Sequence, residues 1–161
     1  MFALPISETK SFMNRLLLSD SFDHFLAAEA AITTFAEFHI AGKLQKDYYS
    51  SEELEELQLQ DQQLVSWKQL RPFFLQLIRG THTPLSFKIV LKLPASATEE
   101  LLAQSALPYS PADIHGLFLN LHFQNGVLTC ISGTSMALFT TDKSLDHAWD
   151  DALKTLLRDF L

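Results

Sequence analysis

Cysteine is almost missing from this chain of 161 residues: Cys130 stands alone. A lone cysteine excludes an intramolecular disulfide and leaves a structural zinc–thiolate cage short of ligands. Long apolar runs are missing too. No stretch approaches the roughly 18 uncharged apolar residues that a membrane-crossing helix needs. The opening MFALPISETK has no basic region leading into an apolar run, so no signal peptide is expected. These absences together predict a cytoplasmic chain that does not enter a membrane. Glycine (5) and proline (6) are scarce, which argues against collagen-like repeats and long flexible linkers. The phosphate-cradling loops GxGxxG and GxxxxGK[ST], the GxSxG elbow and the HExxH zinc helix are all absent. No cofactor or metal is therefore predicted, and no catalytic residue is assigned.

Acid is missing from one window. Between Gln62 and Thr98 there is no Asp or Glu, while Lys68, Arg71, Arg79, Lys88 and Lys92 all fall there. The whole chain carries a formal charge of −7, which argues against nonspecific nucleic-acid binding. An acidic protein with a basic, acid-free middle is positioned to offer one anion-friendly face.

What is present is core. Apolar residues make up 47% of the chain and Phe occurs 13 times, enough to fill one domain spanning 1–161. Ser7 to about Leu18 reads as a helix with Ser7 as cap and Phe12 and Leu16 on its apolar side. Residues 25–40 read as a strand, with Ala41-Gly42 as a tight turn and KLQKDYY as the returning strand. Residues 51–61 read as an acidic surface helix. Residues 63–79 read as a second helix, kinked or broken at Pro72 and stopped by Gly80. Phe87, Ile89, Leu91 and Leu93 alternate with polar residues, the mark of a strand with one buried face. A short helix follows in ATEELLAQSA. In GLFLNLHFQNGVLTCIS the Asn125-Gly126 pair predicts a two-residue hairpin with Gln124 facing Val127, His122 facing Thr129 and Leu121 facing Cys130. GTSMALFTT reads as one more short strand. The whole predicts an α+β domain: a mainly antiparallel sheet of about five or six strands with helices packed on one face.

Three clusters invite a chemical reading. TTDKSLDHAWDD, residues 140–151, sets four aspartates around His147. Leu145, Trp149, Leu153 and Leu157 recur there at helical spacing, so the cluster reads mainly as the polar side of an amphipathic helix capped by Ser144. Asp142 and Lys143 precede that cap, at a junction able to present backbone N–H groups to an anion. Cys130 reads as a buried hydrophobe, because the hairpin register puts it on the opposite face from His122. RGTHTP, residues 79–84, is the best ligand candidate. Arg79 and His82, with Arg71 behind and Lys88 ahead, form a ligand-binding set suited to phosphate or carboxylate. The competing reading is a helix stop whose cations complement the helix C-terminus. Phe118, His122 and Lys88 would make an RNA-stacking face if their strands were neighbours, a reading that the net charge opposes.

The strings WKQLRPFFLQLIRGTHTPLSFKIVL, GLFLNLHFQNGVLTCISGTS and FTTDKSLDHAWD resemble a family of small uncharacterised Firmicutes proteins, catalogued as a domain of unknown function. The resemblance spans nearly the whole chain and implies a bacterial, stand-alone domain; it implies no activity. The sequence thus favours a non-catalytic cytoplasmic binding or protein-interaction module, with an unknown protein or a small anionic ligand as partner. The alternative is an enzyme acting on a phosphorylated or carboxylated small molecule through Arg71, Arg79, His82 and Asp142.

Overall fold

A computed structural model covering residues 1–161 shows a seven-stranded antiparallel sheet with helices on one face. In chain order the elements are β1 (Ala3–Pro5), α1 (Thr9–Leu18), β2 (Leu26–Thr33), β3 (Glu37–Ala41), α2 (Ser51–Glu56), β4 (Val65–Ser66) and α3 (Trp67–Ile78). Then follow β5 (Ser86–Lys92), α4 (Ala95–Gln104), β6 (Ile114–Gln124), β7 (Val127–Met136) and α5 (Ser144–Leu157). The sheet runs β1-β7-β6-β5-β2-β3, with β4 pairing to β2. No helix is long and apolar enough to cross a membrane.

The β6–β7 hairpin has the register that its turn dictates: Gln124 opposes Val127, His122 opposes Thr129 and Leu121 opposes Cys130. Asn125 and Gly126 both adopt positive φ (53° and 77°), the pair of conformations a type I′ turn requires. Alternation then points Phe87, Ile89, Leu91, Leu119, Leu121, Phe123, Leu128 and Cys130 to the helix-covered face, where all are buried. From the helices come Phe12 and Leu16 of α1, Trp67 and Phe74 of α3, and Leu145, Trp149, Leu153 and Leu157 of α5. One contiguous cluster of 27 buried residues joins these groups, so the chain has one core.

Several local expectations are corrected. The β2–β3 turn lies at residues 34–36, closed by Thr34 N–H donating to Ala36 O at 2.9 Å, and not at Ala41-Gly42. Gly42 is needed for another reason: a Cβ there would come within 1.7 Å of the carbonyl oxygen of Ala27. The stretch KLQKDYY forms no returning strand, only a bridge from Lys43 to Leu64 and a single 3-10 turn at Lys46–Tyr48. Ser7 does not cap α1; its N–H and hydroxyl both donate to Phe160 O near the C-terminus. The acidic helix stops at Glu56, held by a capping box between Ser50 and Glu53. Pro72 does not break α3. The carbonyl it frees, that of Lys68, belongs to an exposed residue as Pro72 does, so water can satisfy it while Trp67 and Phe74 anchor the helix. The helix ends at Ile78, with Arg79 extended (ψ 144°) before Gly80 takes φ 149°. GTSM is the last part of β7 rather than a separate strand, so the seven strands arise from the short β1 and β4 instead.

Candidate functional site

The end of the sheet that carries the β2–β3 turn also receives the 79–85 loop, tied down by Leu85 N–H donating to Thr33 O at 2.9 Å. Between turn and loop lies a cleft of about 520 Å³. Phe35 and Leu85 stand at it, 93% and 70% exposed, and Leu77 and Ile78 come in from the last turn of α3. Arg79, His82, Thr34, Thr81 and Thr83 supply its polar groups. None of the ten lining residues is a carboxylate, and neither Arg79 nor His82 forms an ion pair. The wall also contains the one buried side-chain polar atom of the protein that lacks a hydrogen-bond partner, Thr34 Oγ1. Such an orphan costs about 1–3 kcal/mol, and native structures keep few of them.

Of the four residues expected to bind a ligand, the fold brings together two. Arg79 and His82 share the cleft; Arg71 and Lys88 do not reach it. Arg71 is engaged in a two-pronged pair with Asp23, Nε to Oδ1 at 2.8 Å and Nη2 to Oδ2 at 3.1 Å, and its Nη1 donates to Leu17 O at 3.1 Å. The hydrogen bond to Asp23 raises the Arg71 pKa further above its already high ordinary value. This guanidinium pins α3 to the turn after α1, with its charge neutralised by Asp23 and three of its N–H groups engaged within the chain. Lys88 projects from the uncovered sheet face, where Glu29 stands 3.8 Å away. Strand β6 does set His122 directly opposite Lys88 and Phe118 opposite Lys92, so the strands of the supposed stacking face are neighbours. The nearby Glu29 carboxylate works against a nucleic-acid backbone there.

The 140–151 cluster is split by the fold. Asp151 is exposed as the helical pattern requires, but Asp150 is only 9% exposed. It accepts from Ser132 Oγ at 2.5 Å and lies 3.1 Å from the Met1 amine. Asp146 accepts from the Thr134 hydroxyl. The polar side of α5 is therefore partly a hydrogen-bonded seam against β7, not wholly a wet face. Ser144 is the first helical residue rather than the cap; its N–H and hydroxyl donate to Asp142 at 3.0 and 2.7 Å. Tyr109 donates to the same carboxylate. These bonds lower the Asp142 pKa and raise that of Tyr109. Asp142 lies at the opposite end of the sheet from Arg79 and His82, beside the start of β6, so no shared site forms.

The remaining groups add no catalytic constellation. Burial pushes the Cys130 thiol up to about 12, far from a working thiolate. Burial lowers His24, an effect that Asp23 partly opposes. His24 lines a shallow groove of about 360 Å³ between α4 and α5, with Trp149 and Leu153. A further cavity of about 410 Å³ lies where β5 meets α4, with Lys92, His115 and Asp61 in its wall. No three His, Cys, Asp or Glu side chains stand close enough to hold a metal ion.

The sequence pattern of DUF5721, a family of unknown function, matches residues 15–160, and the chain belongs to that family. No curated protein and no solved structure matches it.

Proposed function

We infer that this protein is a non-catalytic cytoplasmic binding module that receives an anionic group in the cleft between the β2–β3 turn and the 79–85 loop. One observation carries the reading: in a chain of charge −7, Arg79 and His82 face a carboxylate-free cleft with no ionic partner. A guanidinium offers a phosphate or carboxylate two parallel hydrogen bonds, and the threonines add hydroxyls. Phe35 and Leu85 supply apolar surface beside it, so the fitting partner is an anion attached to something apolar. The C-terminal end of α3 opposes an anion, and binding there rests on side chains alone. The enzymatic reading is weaker, because two members of its residue set are committed elsewhere: Arg71 to Asp23, and Asp142 to Tyr109 and Ser144.

Thermal unfolding in sulfate and in chloride at equal ionic strength tests this. Sulfate stabilises any protein somewhat by exclusion from its surface. Specific binding adds an increment that Arg79→Ala removes, since a ligand stabilises only the state that binds it. An identical sulfate increment in wild type and Arg79→Ala overturns the assignment.

A further inference from the structure

The cleft has a match on the same molecule. Residues 47–61 hold Asp47, Glu52, Glu53, Glu55, Glu56 and Asp61 and no Lys or Arg. Their helix, α2, buries none of its residues, and Leu57 at its end is 56% exposed. An acidic helix with an exposed leucine is thus left without a partner, as is a basic cleft with exposed Phe35 and Leu85.

Helix α3 joins the two. The chain enters α2 through Tyr49, whose hydroxyl accepts from Gln69 Nε2 at 3.2 Å, in the first turn of α3. The cleft begins at the other end of α3, at Leu77 to Arg79. Gln69, Phe73 and Gln76 repeat at helical spacing along one exposed stripe between them. From Gln69 to Arg79 this stripe measures about 15 Å. At its middle is Phe73, 62% exposed, in a helix whose buried side is already filled by Trp67 and Phe74.

An acidic end, an aromatic centre and a basic end form a self-complementary surface. We propose that the partner of this cleft is a second copy of the chain, docked with the two α3 helices antiparallel about a two-fold axis at Phe73. The axis sets Phe73 against Phe73 of the second copy. It brings each α2 to the other copy's Arg79–His82 cleft, and closure leaves no unpaired patch to build filaments. The aromatic centre supplies the apolar burial, and the charged ends fix the register. The inference rests on the anion-binding reading of the cleft and names its occupant.

Sedimentation velocity over a wide concentration range tests it. Wild type is expected to form a reversible dimer that weakens with added salt, because the charged ends are solvent-exposed. Phe73→Asp should weaken dimerisation by about thirtyfold or more, as loss of a central aromatic anchor does. Arg79→Glu alone, and Glu55→Lys with Glu56→Lys, should each give monomers with unchanged circular dichroism, all three sites being exposed. Mixing those two variants should restore a dimer, because the cations introduced on α2 of one then meet the carboxylate introduced at position 79 of the other, while the unaltered acidic α2 meets the unaltered Arg79. A wild type that stays monomeric, a dimer indifferent to Phe73→Asp, or variants that fail to associate on mixing would each overturn the proposal. The sulfate test, run on dilute monomer, separates the two ideas. A monomer that keeps the Arg79-dependent increment retains an anion site with another occupant; loss of both sinks the cleft altogether.

Discussion

Arg71 and Arg79 lie two turns apart along one stretch of chain, and they are used in opposite ways. Arg71 is enclosed: Asp23 takes two of its N–H groups and Leu17 a third. Arg79, at the far end of the helix, faces a cleft with no acid in its wall. The same contrast separates the two ends of the sheet. At the β6 start and along α5, three aspartates find donors within the chain: Asp142 with Tyr109 and Ser144, Asp146 with Thr134, Asp150 with Ser132. At the β2–β3 turn a guanidinium and an imidazole are without ionic partners and a threonine hydroxyl lacks any hydrogen bond. A cleft that joins an unpaired guanidinium to an orphaned buried hydroxyl, with no carboxylate in its wall, is a place suited to something outside the chain.

Substituting Arg71 tests the closed side most severely. Arg71→Ala leaves the Asp23 carboxylate, 13% exposed, without its counter-ion. A fully buried broken pair costs about 3–5 kcal/mol. Partial exposure here reduces the expected loss to roughly 2–3 kcal/mol, measured by urea unfolding. Asp23→Ala with Arg71→Ala should cost less than the two single changes summed, since each single change strands the other group.

Adjacent aspartates sharpen the comparison. Asp150→Ala removes the acceptor for Ser132 and should cost about 1–3 kcal/mol. Asp151→Ala, one residue on and exposed, should change stability by less than about 0.5 kcal/mol. Equal effects at the two positions would mean that the seam against β7 contributes nothing.

That pair also shows where sequence reasoning stops. The stripe Leu145, Trp149, Leu153, Leu157 is local and periodic, so it could be read directly. The burial of Asp150 depends on Ser132, 18 positions away, and no spacing rule carries that information. Arg71 and Asp23 are 48 positions apart, and their pairing was equally hidden. The β6–β7 register was legible because Asn125-Gly126 has a mechanism attached to it. The β2–β3 turn was not, because Thr34-Phe35-Ala36 holds no glycine, proline or asparagine and β2 and β3 read as one long strand. Half of the candidate site was legible through an absence: with no acid between Gln62 and Thr98, Arg79 and His82 had no local partner. Phe35 and Thr34 entered the site only through the misread turn.

A smaller effect concerns Cys130, the one thiol in the closed interior. Burial holds its folded pKa at about 12, above the unfolded value of 9.0. The neutral thiol is thus favoured in the folded state. The stabilisation is fully present below pH 9 and is lost as pH rises from there through 12, because the unfolded chain releases its proton first. Wild type should therefore lose stability as pH rises above 9 toward 12 more steeply than Cys130→Ala does, a window set by those two values. A bulky thiol reagent at neutral pH should leave the native protein unmodified and label it once unfolded. Rapid labelling of the native state would show that the interior opens at β7.

The smallest expected change is at Arg79. Its guanidinium makes no ion pair, and the residue is exposed, so its removal breaks no charge–charge contact within the folded chain. In chloride at moderate salt, Arg79→Ala should lie within about 0.5 kcal/mol of wild type, against the several-fold larger loss for Arg71→Ala. Two arginines of one segment would then differ in stability by their partners alone. A loss at Arg79 comparable to that at Arg71 would mean that the cleft is held shut by this side chain and is part of the fold's own bonding. A neutral Arg79→Ala paired with a missing sulfate increment would instead leave the guanidinium with one role, that of meeting an anion from outside.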